Sequence, residues 1–341
     1  MLRKQAQEDP ELFLEHHPAP CTIDEIQYAP LLLSYLKIRI DARRDQPGQF
    51  LLTGSQQFSL MQGVTESLAG RVAVLDLLPL SMEEQPEFPL SSLAAADRWI
   101  RGAFPELIAR PELDLGLWYS SYVQTYLERD VRALRQVGDL GEYQRFLEMA
   151  AARNAQLMDL TALSRDLGLS VNTIKAWIRV LEASFQVHLL YPYFRNQGKR
   201  LVKTPKFYFN ETGLLCYLLG LRDAAHTLQG PAAGGVMEAA VWGEIFKAFS
   251  NAGEQPRAYF WRTTRGEEID FVIEWKGRLL PIEVKLTKTP GSALARPLED
   301  FCDLFPSESP EGVVVCWVER PVTLSRRCRA IPFRELPSIL Q

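Results

Sequence analysis

Long apolar runs, paired cysteines and clustered histidines are all missing from this sequence. No uninterrupted apolar stretch reaches the ~18 residues that a membrane-spanning helix needs, and no signal peptide opens the chain. The 5 cysteines are scattered without C-x-x-C spacing, and the 4 histidines show no metal-ligand spacing. These absences argue against a membrane partner, a disulfide framework and a zinc site, so we expect reduced thiols in a cytoplasmic protein.

A strong excess of charge of one sign is also missing. The chain has 38 Lys and Arg against 42 Asp and Glu, a net charge of −4, so any basic surface for nucleic acid has to be local. With 341 residues, 47% of them hydrophobic, the chain is long enough for two or three globular domains.

A phosphate-binding loop is missing as well, because the pattern G-x-x-x-x-G-K-[ST] occurs nowhere in the chain. Two apolar strands are nevertheless predicted to end in polar residues that suit a nucleotide site at a sheet edge. The first ends in Asp24 and Glu25, and the second, after a helix predicted over 31–40, runs from Phe50 to Ser55. Asp24 is suited to hold Mg²⁺ through water, Glu25 to orient the water that attacks a γ-phosphate, and Ser55 would lie beside Glu25.

The stretches IDEIQYAPLLLSYLKIRID, FLLTGSQQF and SLAGRVAVLDLLPLS resemble an AAA-type ATPase family of bacteria and archaea. The resemblance implies ATP and Mg²⁺ as cofactors, Asp24 and Glu25 as the Walker B acids, and 53–56 as the sensor-1 strand end. In that family the phosphate loop lies upstream of the point where this chain begins. The resemblance therefore leads us to expect an internal start at Met1 and a chain that does not itself bind ATP.

A third strand is predicted at 72–78, directly after Arg71. An arginine at this strand end can meet a phosphate on the same subunit or on a neighbour, as arginines do in nucleotide hydrolases. A surface salt bridge is the alternative, and the sequence favours it because arginines at strand ends are common.

Residues 84–96, which are rich in Pro, Ser and Ala, are predicted to form a linker. The segments GAFPEL and WYSSYVQTYLERDVRAL beyond it resemble the uncharacterised domain that follows the ATPase module in the same family. The resemblance thus extends past the linker.

A short helix, a turn at Gly168 and a helix capped by Ser170 predict a helix-turn-helix, and two strands around a basic turn extend it to a winged helix. On its second helix, Lys175 and Arg179 could reach a DNA groove. The basic turn would meet phosphates through four residues, Arg195, Lys199, Arg200 and Lys203. A protein-packing winged helix is the equally weighted alternative, because that helix has only two cations and Trp177 would fit a groove poorly.

The last segment combines a helix over 236–249 with strands that contain Asp270, twelve further residues, and then Glu283-Val284-Lys285. Two acids that hold Mg²⁺ and a lysine that positions water are what metal-dependent phosphodiester cleavage needs. This spacing resembles the PD-(D/E)XK nuclease-like superfamily, and the resemblance makes Glu238 its helical acid. A solvated hairpin with alternating charges is the alternative, since such short patterns arise often by chance.

The expected fold class is therefore α/β and α+β multidomain, with a partial P-loop parallel sheet, a helical and winged-helix middle, and a restriction-endonuclease-like C-terminal domain. The predicted boundaries are 1–83, 84–145, 146–225 and 226–341. Three functions remain open: a nucleotide hydrolase that depends on the missing loop, a Mg²⁺-dependent nuclease, and a module that docks on DNA or on another protein without chemistry.

Overall fold

The computed structural model describes residues 1–54, 67–86, 89, 91–127, 140–194, 204–263 and 266–340. The chain divides into two compact units, Met1–Leu75 and Asp76–Gln341. All five cysteines are free, which confirms the expected thiols. Among the described residues, no helix is long and apolar enough to cross a bilayer.

The unit Met1–Leu75 is built on a parallel pair of short strands. Its elements are α1 (Leu2–Glu8), α2 (Pro10–His16), β1 (Cys21–Ile23), a 3-10 turn (Ile26–Tyr28), α3 (Leu32–Ala42) and β2 (Phe50–Leu52). β1 and β2 are parallel, with Cys21 opposite Phe50 and Ile23 opposite Leu52. α3 connects them and buries its leucine face in the same small core. The predicted helical crossover between parallel strands is confirmed.

The third strand predicted at 72–78 is wrong. These residues form no regular structure, and Leu75 and Leu77 are 78% and 102% exposed. An apolar run indicates a strand only when a neighbouring strand supplies hydrogen-bond partners, because a strand cannot satisfy its own backbone groups. In the described part of the chain, neither β1 nor β2 pairs with this segment.

The unit Asp76–Gln341 begins with helices. They are α4 (Ser92–Arg101), α5 (Pro105–Ala109), α6 (Leu115–Tyr122), which continues into a π turn (Val123–Leu127), and α7 (Leu140–Ala151). α4 begins inside the stretch predicted to be a linker. Its start is fixed by Ser91, whose side chain accepts a hydrogen bond from the Ala94 N–H, and its buried face includes Trp99 and Ile100. A Ser- and Ala-rich composition therefore concealed an amphipathic helix.

In the described residues, four helices and a small antiparallel sheet follow. The elements are β3 (Gln156–Leu157), α8 (Leu160–Leu167), α9 (Val171–Ala183), β4 (Val187–Leu190), β5 (Lys206–Phe209), α10 (Thr212–Leu218) and α11 (Ala224–Gln229). Between α8 and α9, Gly168 adopts φ +70°, and the Ser170 hydroxyl caps α9 by accepting from the Thr173 N–H. The strands are ordered β3-β5-β4. The predicted helix, turn and capped helix are confirmed, and Trp177 is buried in the core.

The C-terminal part of this unit is a mixed six-stranded sheet covered by helices. Its elements are α12 (Ala233–Asn251), β6 (Ala258–Arg262), β7 (Glu268–Trp275), β8 (Arg278–Val284), a 3-10 turn (Ser292–Ala295), α13 (Arg296–Leu304), β9 (Gly312–Cys316), β10 (Val322–Thr323), β11 (Cys328–Pro332) and a final 3-10 segment (Phe333–Ile339). The order is β10-β11-β9-β8-β7-β6, with β8, β9 and β11 parallel and the other pairs antiparallel. β9 is buried along its whole length, which explains its continuous apolar run.

Candidate functional site

Three predicted site residues come together within the Asp76–Gln341 unit. Glu238 lies on α12, Asp270 on β7 and Glu283 on β8. β7 and β8 are antiparallel with Phe271 opposite Ile282, so one further step in this register places Asp270 opposite Glu283. Directly opposed residues have their side chains on the same face of a sheet. The hairpin thus brings the two carboxylates to one face.

A lysine that sequence reasoning missed lies among these acids. Lys206, on β5, has only 4% of its surface exposed. Its Nζ lies 3.4 Å from Asp270 Oδ1 and 3.8 Å from Glu238 Oε2, and it also forms a salt bridge with Glu268. The sequence carried one signal, because a lysine in an otherwise apolar, buried strand needs anionic partners. We name this group the carboxylate–lysine cluster: Lys206, Glu238, Glu268, Asp270, Glu283 and Lys285.

Asp270 is buried and both of its carboxylate oxygens have partners. Oδ2 accepts a 2.9 Å hydrogen bond from the Val284 N–H, on the strand beside it. Oδ1 faces Lys206. A buried carboxylate stays charged only when such donors replace water, so Asp270 is anchored to both β8 and β5.

Glu238 is the most strongly perturbed acid of the cluster. Burial, followed by the nearby charge of Asp270, raises the pKa of Glu238 to about 8, although Lys206 and the Tyr208 hydroxyl oppose the shift. The Tyr208 hydroxyl donates a 2.9 Å hydrogen bond to Glu238 Oε2. Lys206 and Tyr208, two residues apart on β5, therefore both contact Glu238.

Glu283 and Lys285 form the second half of the cluster. Burial and the charge of Asp270 raise the pKa of Glu283 to about 7. Lys285 Nζ lies 2.6 Å from Glu283 Oε1, while Glu283 Oε2 is buried without a hydrogen-bond partner among the described residues. Burial alone would lower the pKa of Lys285, but the charges of Glu283 and Asp270 outweigh it, and the net effect is a raised pKa.

The same balance holds Lys206 in its charged form. Burial works to lower its pKa, and the charges of Asp270, Glu238 and Glu268 together raise it above the ordinary value. A lysine can remain charged in a protein interior when opposite charges surround it, as here.

The cluster as folded does not fit a divalent metal ion. Among the described residues, no three His, Cys, Asp or Glu side chains are arranged to hold one. The sequence argument for a metal considered the acids together with one cation, Lys285. It was incomplete, because Lys206 supplies a second cation from a strand 64 residues away from Asp270 in the chain.

The predicted nucleotide residues lie in the other unit. Asp24 is exposed directly after β1, and its carboxylate accepts a hydrogen bond from the hydroxyl of Thr53, directly after β2. Glu25 adopts the left-handed conformation, φ 53°, which is uncommon and strained for a residue with a side chain. Ser55 lies outside the described residues. The parallel pair thus brings Asp24 and Thr53 together, and no residue of the sequence supplies a glycine-rich phosphate cradle.

Arg71 is engaged within its own unit. Its guanidinium contacts both carboxylate oxygens of Asp41, at 2.7 Å and 2.9 Å, and donates to the Ala69 carbonyl at 3.0 Å. The hydrogen bond from Arg71 lowers the pKa of Asp41. This geometry favours the salt bridge, the alternative that the sequence already preferred, over a phosphate contact.

The predicted DNA-contact residues divide into two groups. Lys175 and Arg179 lie exposed on α9, on the side away from the buried residues Ile174, Trp177 and Ile178. The four cations of the predicted basic turn, Arg195, Lys199, Arg200 and Lys203, lie outside the described residues. Because Trp177 packs in the core, it does not obstruct the exposed face of α9.

Comparison with known proteins shows that the first part of the chain is similar to AAA domains. Residues 1–85 match the AAA domain family, residues 93–225 a domain of unknown function (DUF8612), and residues 233–336 a domain of unknown function (DUF4143). The chain is 34% identical over 284 residues to uncharacterized proteins of Mycobacterium bovis and Mycobacterium tuberculosis. The aligned region covers 83% of this chain and 62% of each relative. No solved structure matches the chain significantly.

The AAA domain match at residues 1–85 and the DUF4143 match at residues 233–336 support the resemblance of this chain to an AAA-like ATPase family. The structure is a mixed helix and sheet architecture with several sheets, which agrees with the α/β multidomain class expected from the sequence.

Proposed function

We propose that the Asp76–Gln341 unit is a nuclease-like, DNA-binding module of an AAA-like ATPase protein. The observation that carries this proposal is the exposed cationic face of α9, where Lys175 and Arg179 lie one helical turn apart. Residues four apart on a helix share one face, so both cations can meet phosphates on one side of a groove.

The neighbouring elements support the winged-helix interpretation of this face. α8, the turn at Gly168, α9 and the antiparallel strands β4 and β5 occur in the order that such domains use. The predicted basic turn stands between β4 and β5 in the sequence, and its cations belong to the proposal as further phosphate contacts. The exposed side of α9 is then the element that enters the groove.

The C-terminal sheet supports the nuclease-like part of the proposal. α12, three antiparallel strands (β6 to β8), α13 and the parallel strand β9 follow one another, and the acids of α12, β7 and β8 converge in the carboxylate–lysine cluster. Fold and chemistry are separable, and a nuclease-like module can bind DNA without cutting it. Because the cluster as folded does not fit a metal ion, we place binding ahead of cleavage.

ATP and Mg²⁺ belong to the proposal by resemblance only. The AAA domain match covers residues 1–85, and in this part Asp24 would hold a magnesium ion and Glu25 would orient a water molecule. We draw no step of hydrolysis from these two residues, since the sequence has no loop to hold the phosphates.

The test is equilibrium binding of a short fluorescein-labelled DNA duplex to the full chain, followed by anisotropy over a series of salt concentrations. Replacing Lys175 and Arg179 with Gln is expected to weaken binding and to lower the slope of log Kd against log salt by about 2, roughly 1 for each phosphate contact. The matched control replaces two other exposed cations of the same unit, Lys288 and Arg320, with Gln, which changes the net charge equally.

Equal losses in the two double variants would indicate attraction by overall charge and would remove α9 as the DNA face. Absence of DNA binding by the wild type would instead favour the protein-docking alternative. The same samples with Mg²⁺ report nicking of supercoiled DNA. Nicking that disappears in Lys285→Ala would put metal-dependent cleavage ahead of simple binding.

A further inference from the structure

We propose that Lys206 is the resident cation of the carboxylate–lysine cluster, that it excludes divalent metal ions, and that removing its charge turns the cluster into a divalent-cation site. The inference concerns what occupies the cluster and does not depend on DNA binding. Its three supports are the position of the Lys206 ammonium group, the way β5 holds it there, and an unpartnered oxygen on Glu283.

The position of the ammonium group is the first support. Nζ lies 3.4 Å from Asp270 and 3.8 Å from Glu238, and forms a salt bridge with Glu268. The ammonium group thus lies between carboxylate oxygens that a divalent ion entering this cluster would need as ligands. A metal ion cannot enter between these oxygens while Nζ is there.

The charge balance agrees with this role. The cluster contains four carboxylates, Glu238, Glu268, Asp270 and Glu283, and two cations, Lys206 and Lys285, and Arg262 lies beside it, 3.6 Å from Glu268. Without the charge of Lys206, these acids would face Lys285 and the neighbouring Arg262. A divalent ion would then favour the ionised forms of Glu238 and Glu283, whose pKa values burial raises to about 8 and about 7.

The second support is that Lys206 cannot easily withdraw. Its backbone pairs with Leu190 of β4 on one side and with Leu157 of β3 on the other. The residues that follow it in β5, Phe207, Tyr208 and Phe209, are fully buried. A central strand packed in this way moves only with its sheet, so the backbone of Lys206 is held in place. Its side chain is only 5% exposed, so the ammonium group lies inside the protein and not in solvent.

The third support is an oxygen that is ready to bind a cation. Glu283 is buried, and in the described part of the chain its Oε2 has no hydrogen-bond partner. When the ammonium group is removed, Asp270 Oδ1 also loses its partner, which leaves two carboxylate oxygens buried and unsatisfied on one face of the hairpin. A hard divalent ion, which prefers carboxylate oxygens, is the complement of such a pair.

The experiment is a titration of the full chain with MnCl₂, followed by isothermal calorimetry and by the shift in melting temperature. The variants are wild type, Lys206→Met, which keeps the length of the side chain and removes its charge, and Lys206→Met combined with Asp270→Asn. We expect Lys206→Met to bind Mn²⁺ roughly tenfold or more tightly than the wild type, because an electrostatic repulsion is replaced by attraction. The double variant should lose this gain.

A folded Lys206→Met that binds Mn²⁺ no more tightly than the wild type would overturn the proposal. A Lys206→Met chain that folds only when Mn²⁺ is present supports it, because metal binding and folding are then coupled. Should this variant remain unfolded with and without Mn²⁺, Lys206→Gln decides in the same titration. Its amide can still donate to Asp270, which helps the chain to fold, but it carries no charge, so it should also bind Mn²⁺ more tightly than the wild type. Failure of both variants to fold in any condition would count against a replaceable cation.

Discussion

His188 is a histidine that the folded chain keeps neutral. Its ring stacks on Trp242, with centroids 4.4 Å apart, and burial lowers its pKa from the ordinary 6.5 to about 4. Between pH 6.5 and pH 4 the unfolded chain therefore binds a proton that the folded chain does not, so the free energy of unfolding falls as the pH falls. The loss is at most about 3 kcal/mol.

We expect His188→Phe to remove this part of the acid dependence while keeping the stacked ring. Urea unfolding at a series of pH values between 7 and 4 measures it, and the difference between variant and wild type should grow in favour of the variant as the pH falls. His226→Phe, the same substitution at a histidine whose side chain is 67% exposed, provides the control for the effect of the substitution itself. An unchanged pH dependence in His188→Phe would show that the ring accepts a proton without leaving its place.

Single residues also show where sequence reasoning stops. Asp270, Glu283 and Lys285 stand in a recognisable spacing on adjacent strands, so their proximity could be predicted from strand geometry alone. Lys206 could not, because its partners are distant in the chain and only the packing of β5 beside β7 and α12 brings them together. A lysine in an apolar strand predicts an anionic partner, but the sequence does not say which acids of the chain supply it.

At the scale of helices and strands, the predictable elements are those whose residues determine their own structure. α9 has a capping serine and an apolar face, and β7 and β8 are apolar runs joined by a turn at Lys276 and Gly277, both with positive φ. The segment 72–78 has an apolar run as well, but forming a strand needs a partner that the sequence does not specify. α4, in contrast, has a capping serine and an apolar face of its own, but the Ser- and Ala-rich composition around its start favoured a linker.

The pair β1 and β2 is the element on which nucleotide binding would depend. A phosphate loop supplies several charge-assisted hydrogen bonds of about 1.5 to 3 kcal/mol each, and the sequence has no such loop. Micromolar affinity requires about 8 kcal/mol, more than Asp24 and Glu25 can supply without those bonds. We expect calorimetry to detect no micromolar binding of ATP with Mg²⁺ to this chain, and Asp24→Ala to leave the titration unchanged. A micromolar Kd that Asp24→Ala abolishes would contradict this.

At the scale of the whole molecule, the two units differ in how much structure protects their strands. β1 and β2 pair over only three positions, and Leu51 in the middle of β2 is 60% exposed. In the described part of the chain, β2 pairs with no strand other than β1. A two-stranded sheet is marginally stable by itself, and an apolar edge invites association. β7 and β8, in contrast, lie inside a six-stranded sheet.

We therefore expect the amides of 21–23 and 50–52 to exchange with solvent deuterium much faster than those of 268–284, because local opening of the small unit needs less free energy than opening of the large sheet. Peptide-resolved hydrogen exchange by mass spectrometry measures this, with light scattering to follow association as the concentration rises. Slow exchange in both regions of a monomeric sample would contradict the expectation. It would mean that more than three residue pairs and a small leucine core stabilise the strand pair. The low free energy of local opening that we infer from them would then be wrong.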